Sequence, residues 1–314
     1  MRLLLFNPET EYALASGASF YTPPASVEKL RKEHELLPEA WAEKGDCILV
    51  DKTEGMDSLF RLVEWSGLSD LFKETEDISI EPWGWNHALI RRFALAGVPV
   101  RFLPDESKID LIRTLAHRRI TISLNSLWNE CAGVRSWVDI PVELKSEKDC
   151  MAYYRSNKGC WMKAPWSSSG RGVINTGADM TEELVRQWCH GIIRRQGSVM
   201  GETGAVRIAD FATEWRLNNG VAEYIGLSSF TTSGRGKYVS NNVKCQSELR
   251  REFDSISAVR IEYVTSVQKE IIEKIYAGYD GLLGVDMIVE DNHMLRPFVE
   301  VNLRRTMGML YIQE

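Results

Sequence analysis

Short apolar runs alternate with segments of helical periodicity through the first third of the chain. Three of these runs predict buried strands, at 1–6, 46–50 and 78–81. A helix is predicted from His87 to Ala96, where apolar side chains recur at helical spacing and Gly97 stands as a C′ residue. Because strands alternate with helices, this part of the chain is expected to form a doubly wound α/β domain.

Helical spacing and capping residues predict four more helices in the rest of the chain. The first, at 107–117, has an apolar stripe of Ile109, Ile112 and Leu115, and the second, at 146–157, begins with a capping box at Ser146. The third begins at the cap Thr181 and has a stripe of Leu184, Trp188 and Ile192. The fourth begins at the Thr265–Gln268 capping box and has a stripe of Val267, Ile271 and Ile275. Short apolar or alternating segments predict strands at about 161–163, 198–202 and 210–217. The later part of the chain is therefore expected to mix helices and strands.

The ends of the predicted N-terminal strands carry candidates for a substrate site. Asn7, Glu9, Tyr12 and Tyr21 follow the first strand, and ligands of open α/β sheets lie at the carboxyl ends of strands. A capped turn with packed aromatic rings would explain the same residues. The third strand runs into 82–86, whose two tryptophans are expected to be core rather than ligand-stacking residues.

Composition and charge exclude several classes of protein. The 314 residues are 44% hydrophobic and 26% charged, which suits two or three packed globular units, and the net charge of -6 argues against nucleic-acid binding. Six cysteines occur without a Cys-x-x-Cys or Cys/His cluster, so reduced thiols and a cytoplasmic protein are expected rather than zinc or a disulfide framework. No run of 18 apolar residues is present, so no membrane segment is expected.

A lysine leads into a serine- and glycine-rich loop within 161–173. Such a loop favours an anion, because glycines allow close backbone approach, hydroxyls donate hydrogen bonds and the lysine adds positive charge. The candidate binding residues are Lys163, Ser167, Ser168, Ser169, Gly170 and Gly172. A polar hairpin turn with a solvated lysine is the alternative interpretation.

Two predicted strands near the other end of the chain carry a pair of carboxylates. If the strands pair across the turn between them, Asp286 lies opposite the neighbourhood of Glu300, and Glu300 shares a face with Asn302. Carboxylates on an inner face are costly unless they are paired or bind a metal, and hard oxygen ligands predict Mg²⁺. Alternatively, the two acids pair with Arg304 and Arg305, and a register slip of one residue would separate them.

Two further polar stretches lie between these motifs. Asp210 and Glu214 alternate with apolar residues on one predicted strand, which indicates either an exposed cross-strand ladder or part of a binding site. A polar loop at 228–238 carries Arg235 and Lys237, which could reach a phosphate or an acylphosphate. A mobile surface loop is the simpler interpretation of that stretch.

The lysine before the Ser/Gly loop, the Gly-x-Asp strand of Asp286 and the Glu-Val-Asn run of Glu300 followed by arginines together resemble the ATP-grasp superfamily of carboxylate ligases. The resemblance covers about 108–308. It implies an N-terminal α/β doubly wound domain followed by a two-part α+β ATP-grasp domain that holds ATP between its parts. The implied divisions are a substrate domain at 1–107, a central subdomain with the phosphate lid at 108–200 and a C-terminal subdomain with the Mg²⁺-binding strands at 201–314.

The resemblance also implies roles for residues outside the three motifs. Met200, Gly201 and Glu202 occupy the hinge segment, whose backbone meets adenine and whose acid meets adenine or ribose. Arg118 or Arg119 stands where many members have a first phosphate-binding lysine, and an arginine there could contact a phosphate through two N–H groups. Two arginines at a helix end also favour the helix dipole without any ligand.

The expected activity is Mg²⁺-dependent ligation, in which a small-molecule carboxylate is joined to an amine or thiol through an acylphosphate made from ATP. Lys163 and Arg304 or Arg305 are expected to offset the charge of the transferring phosphoryl group, with Arg235 and Lys237 as further candidates. The sequence lacks the P-loop, protein-kinase, Gly-x-Ser-x-Gly and His-Glu-x-x-His motifs. A regulatory ATP-binding module and a small-molecule kinase of the same fold are the alternatives.

Overall fold

The computed structural model describes residues 1–132, 137–167, 170, 172–177, 180–233 and 238–312. The chain divides into two compact units, Met1–Arg113 and Thr114–Glu314. Four predicted site residues lie outside the described residues: Ser168, Ser169, Arg235 and Lys237. The finer division at 108–200 and 201–314 stays a prediction.

The first unit is built on a four-stranded parallel sheet. Its elements are β1 (Arg2–Leu5), α1 (Thr10–Ser16), α2 (Ala25–Glu33), β2 (Cys47–Val50), β3 (Arg61–Glu64), α3 (Leu68–Glu74), β4 (Ser79–Pro82), α4 (His87–Leu95) and α5 (Glu106–Leu115), which extends two residues past the unit boundary. The strands lie in the order β3-β2-β1-β4, and every neighbouring pair is parallel. All four residues of β2 are buried, because such a sheet is covered on both faces.

Several elements of this unit were not predicted. The strand β3 and the helices α1 and α2 lie in segments for which no element was predicted. α1 has seven residues, which is too short for a helical repeat to stand out from the surrounding loop. The helix at 87–96 is confirmed to within one residue, and Gly97 follows it with φ +84°. Trp83 is a core residue as predicted, with 4% of its surface exposed.

The second unit contains two antiparallel sheets and their helices. Its elements are α6 (Ile120–Ala132), β5 (Val142–Leu144), α7 (Glu147–Ser156), β6 (Trp161–Lys163), β7 (Val173–Asn175), α8 (Glu182–Gln196), β8 (Val199–Glu202), β9 (Arg207–Asn218), β10 (Val221–Thr232), β11 (Tyr238–Asn242), α9 (Gln246–Ile256), α10 (Ile261–Ile275), β12 (Gly281–Glu290) and β13 (Leu295–Asn302). One sheet has the order β5-β8-β6-β7 and the other β11-β10-β9-β12-β13. The prediction of a polar loop at 228–238 is wrong for its first residues, because β10 continues to Thr232.

Helix capping in this unit was predicted correctly twice and wrongly once. The side chains of Ser146 and Thr181 accept hydrogen bonds from backbone N–H groups at the starts of α7 and α8. The proposed Thr265 cap is wrong, because α10 already begins at Ile261 and Thr265 donates to the carbonyl of Glu262 inside the helix. A capping-box pattern inside a longer helix therefore misplaced the helix start.

The buried face of α8 also differs from its prediction. Leu184 was placed on the buried stripe but is 49% exposed. The buried residues of the helix are Val185, Cys189 and Ile192, which belong to the core around β6 and β8. The two stripes share Ile192, so the error is a rotation of about one position.

The structure also bears on two expectations drawn from composition. In the described part of the chain, no helix combines the length and the apolar character needed to cross a membrane. All six cysteines lie among the described residues, and each is a free thiol.

Candidate functional site

The main pocket of the second unit brings residues of both sheets together. Its lining includes ten of the predicted site residues: Lys163, Ser167, Gly170, Glu202, Asp210, Glu214, Asp286, Glu300, Asn302 and Arg304. They come from the end of β6 and the Ser/Gly loop after it, from the end of β8, from strands β9, β12 and β13, and from the segment that follows β13. Charged groups of both signs therefore converge in one concave site, as expected for a binding site.

The strands β12 and β13 place the two carboxylates opposite each other. The antiparallel register pairs Asp286 with Glu300, within the neighbourhood that the sequence predicted. A bulge between Asp286 and Ile288 produces this pairing, because next to the turn Ile288 pairs with Arg296. Asn302, two residues along β13, donates from Nδ2 to Asp286 Oδ2 at 3.5 Å. Arg304 donates to Asn302 Oδ1 at 3.2 Å, so Asn302 joins the carboxylate pair to an arginine.

Negative charge accumulates around Asp286. Burial raises the pKa of Asp286 well above its ordinary value, and the nearby carboxylates of Glu300 and Glu214 raise it further. Arg304 opposes the shift without cancelling it. A cation placed among these oxygen atoms would relieve the repulsion.

The Ser/Gly loop is closed at its base by backbone pairing. Lys163 pairs with Val173, and the N–H of Ala164 donates to the carbonyl of Gly172 at 2.7 Å. Glycine is required at both described glycine positions. Gly170 has φ +72°, and a Cβ on Gly172 would lie 2.3 Å from the Cβ of Ser167.

Lys163 is buried and forms an ion pair with Glu202. Its Nζ lies 2.6 Å from Glu202 Oε2, and each side chain is 9% exposed. The pair follows from sheet geometry, because β6 and β8 are neighbours and Lys163 lies opposite Met200. Glu202 is two residues from Met200 on β8, so its side chain shares a face of the sheet with that of Lys163. Burial lowers the pKa of Lys163, while attraction to Glu202 raises it. The solvated lysine of the alternative interpretation is therefore wrong.

Arg118 contacts groups from both sheets at the pocket. Its Nη1 donates to the carbonyl of Ala164 at 2.6 Å and to Ser167 Oγ at 2.8 Å, while its Nη2 lies 2.5 Å from Glu300 Oε1. The guanidinium spans these three groups because its N–H donors form a planar fork. The Glu300 carboxylate thus has Arg118 as an ion-pair partner, which the sequence did not predict.

Glu214 is a buried carboxylate held by hydroxyl groups. It is 1% exposed and accepts hydrogen bonds from Ser228 Oγ at 3.0 Å and from Thr306 Oγ1 at 2.9 Å. Burial raises its pKa to about 7, because the hydrogen bonds offset only part of the cost of removing the charge from water. The exposed-ladder interpretation is therefore wrong for Glu214.

Asp210 is also buried at the pocket, with 8% of its surface exposed. It accepts from Arg207 Nη1 at 3.1 Å and from Thr232 Oγ1 at 2.7 Å. Burial raises the pKa of Asp210, and Arg207 lowers it. Asp210 thus has local partners on β9 and β10, and the exposed-ladder interpretation is wrong for it too.

Four predicted residues are described by the structure but lie outside the pocket lining: Met200, Gly201, Gly172 and Arg305. Met200 is fully buried in the core. A Cβ on Gly201 would lie 2.7 Å from the ring of Tyr153, so glycine allows a helix to pack closely at this strand. The carbonyl of Arg305 accepts from Arg304 Nη1 at 2.9 Å.

The sequence analysis missed several lining residues. Trp161, Arg207, Ser228, Arg296, Thr306 and Gly308 line the pocket and were not singled out as site residues. Gly308 carried a weak signal, since a glycine shortly after the Glu-Val-Asn run suggests close approach. A Cβ at Gly308 would lie 2.2 Å from Glu214 Oε1. Ser228 and Thr306 carried no signal, because their role depends on a carboxylate far away in sequence.

The described residues contain no group of three or more His, Cys, Asp or Glu side chains placed to hold a metal. The predicted metal set has a different composition, with two carboxylates and the amide of Asn302. Asp286 and Glu300 supply the hard oxygen donors of that set, and Mg²⁺ commonly uses only one or two protein carboxylates together with phosphate oxygens. The donor set therefore fits Mg²⁺ bound together with a phosphate compound.

Comparisons with known proteins show the fold. No model of a known protein family matches the sequence, and a search of curated proteins found no match. Similar solved structures include the biotin carboxylase domain of 2-oxoglutarate carboxylase from Hydrogenobacter thermophilus, with a TM-score of 0.56 and 12% identity, covering 98% of this chain and 64% of that one. N5-carboxyaminoimidazole synthetase from Staphylococcus aureus has a TM-score of 0.53 and 12% identity, covering 98% of this chain and 71% of that one.

Biotin carboxylase from Campylobacter jejuni is a third similar structure, with a TM-score of 0.52 and 12% identity, covering 98% of this chain and 66% of that one. The chain therefore spans less than two thirds of the length of both biotin carboxylase structures. At this identity the likeness shows the fold alone. It confirms the ATP-grasp fold that the sequence motifs implied.

Proposed function

We propose, starting from the ATP-grasp fold of this chain, that it binds ATP with Mg²⁺ and ligates a small-molecule carboxylate to an amine or thiol. In this reaction the carboxylate attacks the γ-phosphate and releases ADP. The amine or thiol then attacks the acylphosphate carbon, the carbon–oxygen bond to phosphate breaks, and the nucleophile's proton leaves with the inorganic phosphate. Atoms and charge balance without any redox partner.

One observation carries the proposal: Asp286 and Glu300 lie opposite each other in a pocket that also holds Lys163 and Arg118. In general, two facing carboxylates are suitable ligands for a divalent cation, and two buried cationic side chains are suitable partners for phosphate oxygens. A pocket with both sets of charges suits a metal–nucleotide complex better than either ion alone. Three similar structures support the ligand, since they contain ADP with magnesium, ADP, and a β-γ-ATP compound, respectively.

Asp286, Glu300 and Asn302 are the residues that would hold Mg²⁺. Bound there with ATP, the ion would neutralise charge on the phosphate oxygens. Lys163 would contribute a buried positive charge at the base of the Ser/Gly loop, and Arg304 is held beside Asn302 by a hydrogen bond of 3.2 Å. These side chains position the reactants and offset charge, which is the main protein contribution to phosphoryl transfer.

The acceptor substrate is proposed to bind in the first unit. The chain passes from β1 to β2 on one side and returns to β4 on the other, so the carboxyl ends of β1 and β4 form a topological switch point. Glu9 Oε2 and the Tyr12 hydroxyl are buried there without a hydrogen-bond partner among the described residues. Asn7 is less available, because its Nδ2 donates to the carbonyl of Gly84 at 2.8 Å and to Thr10 Oγ1 at 2.9 Å.

Product analysis tests the proposal. Purified protein would be incubated with ATP, Mg²⁺ and mixtures of carboxylates with amines, thiols or short peptides, and ADP and free phosphate would be measured separately. Ligation requires that both products form only when a carboxylate and a nucleophile are present together. Asp286→Asn should abolish turnover, whereas Glu252→Gln, which removes a carboxylate paired with Lys244 outside the pocket lining, should leave it unchanged.

The remaining outcomes separate the alternatives. Formation of ADP without free phosphate would indicate a small-molecule kinase. Binding of ATP without turnover on any mixture would indicate a regulatory module. If isothermal calorimetry detected no ATP binding with Mg²⁺ present, the assignment of this pocket to a nucleotide would be wrong.

A further inference from the structure

Among the described residues, the guanidinium of Arg118 has partners at Nη1 and Nη2 but none at Nε. Its backbone is fixed, because its N–H donates to the carbonyl of Pro165 at 3.1 Å and its carbonyl accepts from Thr121. Its Nη1 holds Ala164 and Ser167 at the base of the Ser/Gly loop. Its Nε is buried and has no partner among the described residues.

A buried guanidinium N–H without an acceptor is costly, since each unsatisfied donor of a charged group loses its interaction with water. The pocket reaches this residue, because Arg118 is part of its lining. An anion entering the pocket would give the Nε group an acceptor and would meet a cation already fixed in place. The arrangement is therefore suited to a phosphate group.

The only carboxylate that the described residues place on Arg118 is Glu300, at 2.5 Å from Nη2. Glu300 is also one of the two carboxylates proposed to hold Mg²⁺. A carboxylate that neutralises Arg118 weakens its attraction for phosphate, and an arginine that neutralises Glu300 weakens its attraction for a metal ion. The two proposed binding functions therefore compete through one ion pair.

We propose that Glu300 acts as the internal counter-ion of Arg118, the arginine for which the family resemblance implies a phosphate contact, until a divalent cation engages the carboxylate. Metal binding then releases Arg118 toward phosphate, and the two ligands bind with positive linkage. An arginine suits this role because its guanidinium has several N–H donors: Nη1 can keep its hydrogen bonds at the base of the Ser/Gly loop while Nη2 exchanges Glu300 for phosphate. A lysine has a single nitrogen and cannot do both. The inference rests on the proposed nucleotide site.

The inference predicts that one substitution at a proposed metal ligand raises the affinity for ATP when metal is absent. Glu300→Gln removes a proposed metal ligand and should therefore abolish the gain in ATP affinity that Mg²⁺ produces. In the absence of metal, however, the same substitution should raise the affinity for ATP about tenfold, because Arg118 loses its competing carboxylate. A tenfold change corresponds to about 1.4 kcal/mol, close to the lower end for a hydrogen bond to a charged group.

The matched control is Asp286→Asn. It removes the carboxyl group directly opposite Glu300, but Asp286 is not placed on Arg118 by any described contact. Relief of general repulsion should raise metal-free affinity only about twofold to threefold in this variant. The difference between the two variants isolates the release of Arg118.

The experiment is calorimetric titration of ATP into the full chain with EDTA and again with Mg²⁺. The proteins are wild type, Glu300→Gln, Asp286→Asn, and Glu300→Gln combined with Arg118→Lys. In the double variant the metal-free gain should fall to the level of Asp286→Asn, because the lysine cannot replace the fork. Unfolding curves would verify that each variant is folded before titration.

The outcomes distinguish the inference from the function on which it rests. If wild type fails to bind ATP under either condition, the proposed function is wrong. If wild type binds but Glu300→Gln gains no more metal-free affinity than Asp286→Asn, or loses affinity, Arg118 is only a structural clamp and the inference is overturned. A larger gain for Glu300→Gln that persists in the double variant would also overturn it, because the gain would not depend on Arg118.

Discussion

Two ion pairs of the pocket, Lys163–Glu202 and Arg118–Glu300, differ in how they are held. Lys163 and Glu202 lie on neighbouring strands of one sheet, and each is 9% exposed. Arg118 and Glu300 join the segment before α6 to a strand of the other sheet, and Glu300 is 26% exposed. The first pair is set by strand register, whereas the second depends on the packing of separate elements.

This difference suggests different roles for the two pairs. A pair buried on both sides is costly to break, because each charge would remain out of water without a partner. A pair with one partly exposed member can exchange that partner for water or a ligand at lower cost. We therefore expect the Lys163–Glu202 pair to matter most for stability and the Arg118–Glu300 pair to matter most for ligand binding.

The largest expected effect tests the stability of the first pair. Lys163→Ala should lower the free energy of unfolding by about 3–5 kcal/mol, since Glu202 would remain as an uncompensated buried charge. Denaturant unfolding measures this change. The control is Lys244→Ala, which removes a partner of half-exposed Glu252 and should cost less than about 1 kcal/mol.

A second variant sharpens the same test. Lys163→Met combined with Glu202→Gln removes both charges and should recover most of the lost stability. Equal losses in the single and double variants would mean that side-chain packing, rather than the unpaired charge, accounts for the effect.

Glu214 extends the comparison to a buried carboxylate that has hydroxyl partners in place of a cation. Burial raises its pKa from 4.5 to about 7, so between these values the folded protein retains a proton that the unfolded chain releases. Its stabilising contribution is present below pH 4.5 and is lost as the pH rises toward 7. Relative to Glu214→Gln, wild type should lose roughly 3 kcal/mol of unfolding free energy across that interval. Denaturant unfolding at several pH values would reveal a flat difference if the carboxyl titrates normally.

The metal side of the comparison concerns Asp286 and Glu300. Mg²⁺ alone should stabilise the protein little, whereas Mg²⁺ with ATP at a hundred times its dissociation constant should add about 2.7 kcal/mol. Thermal unfolding with each ligand alone and with both checks this expectation. If Mg²⁺ alone stabilised the protein as much as the combination, a dedicated protein site for the metal would be the better explanation.

Lys163 should also affect ligand binding, although less than it affects stability. Lys163→Ala is expected to weaken ATP binding by roughly 1.5–3 kcal/mol, the range for a hydrogen bond to a charged group. Calorimetry at a temperature where the variant is folded measures the change. Unchanged affinity would make Lys163 a structural residue and would leave Arg118 as the main phosphate contact.

The smallest effect is expected in the first unit. Glu9→Ala should change ATP affinity by less than threefold, or roughly 0.7 kcal/mol, while it lowers substrate-dependent turnover far more. The comparison uses calorimetry for ATP and product formation for turnover. Equal losses in both would show that this residue serves nucleotide binding and not the acceptor. Asn86 is a poorer choice for this test, because it caps α4 by accepting from the N–H of Leu89 at 2.9 Å.

The sequence predicted best where the determining interactions are local. The pairing of the strands that carry Asp286 and Glu300 was predictable because a short turn joins them and their side chains alternate with a period of two, although a bulge between Asp286 and Ile288 sets the final register. The Ser146 and Thr181 caps were predictable because the donor and acceptor lie three residues apart. The same reasoning failed at Thr265, since a local pattern cannot show that a helix has already begun one turn earlier.

Contacts between distant segments were outside the reach of such reasoning. Ser228 and Thr306 became site residues only because the fold brings both hydroxyls to Glu214. The sequence could not decide between an exposed ladder and a binding site at Glu214, because strand alternation shows which residues share a face but not what covers that face.

The sequence by itself determined the three polar motifs, their order and the pairing of the two carboxylate strands across a short turn. The bulge that brings Asp286 opposite Glu300 was seen only in the tertiary structure. Only the tertiary structure decided the charge partners: Glu202 for Lys163, Arg118 for Glu300, and hydroxyl groups for Glu214. Electrostatic partners are chosen by proximity and burial in three dimensions, and the strength of each interaction depends on how far water is excluded. Neither the distance between two charges in the fold nor their burial can be read from the spacing of residues along the chain.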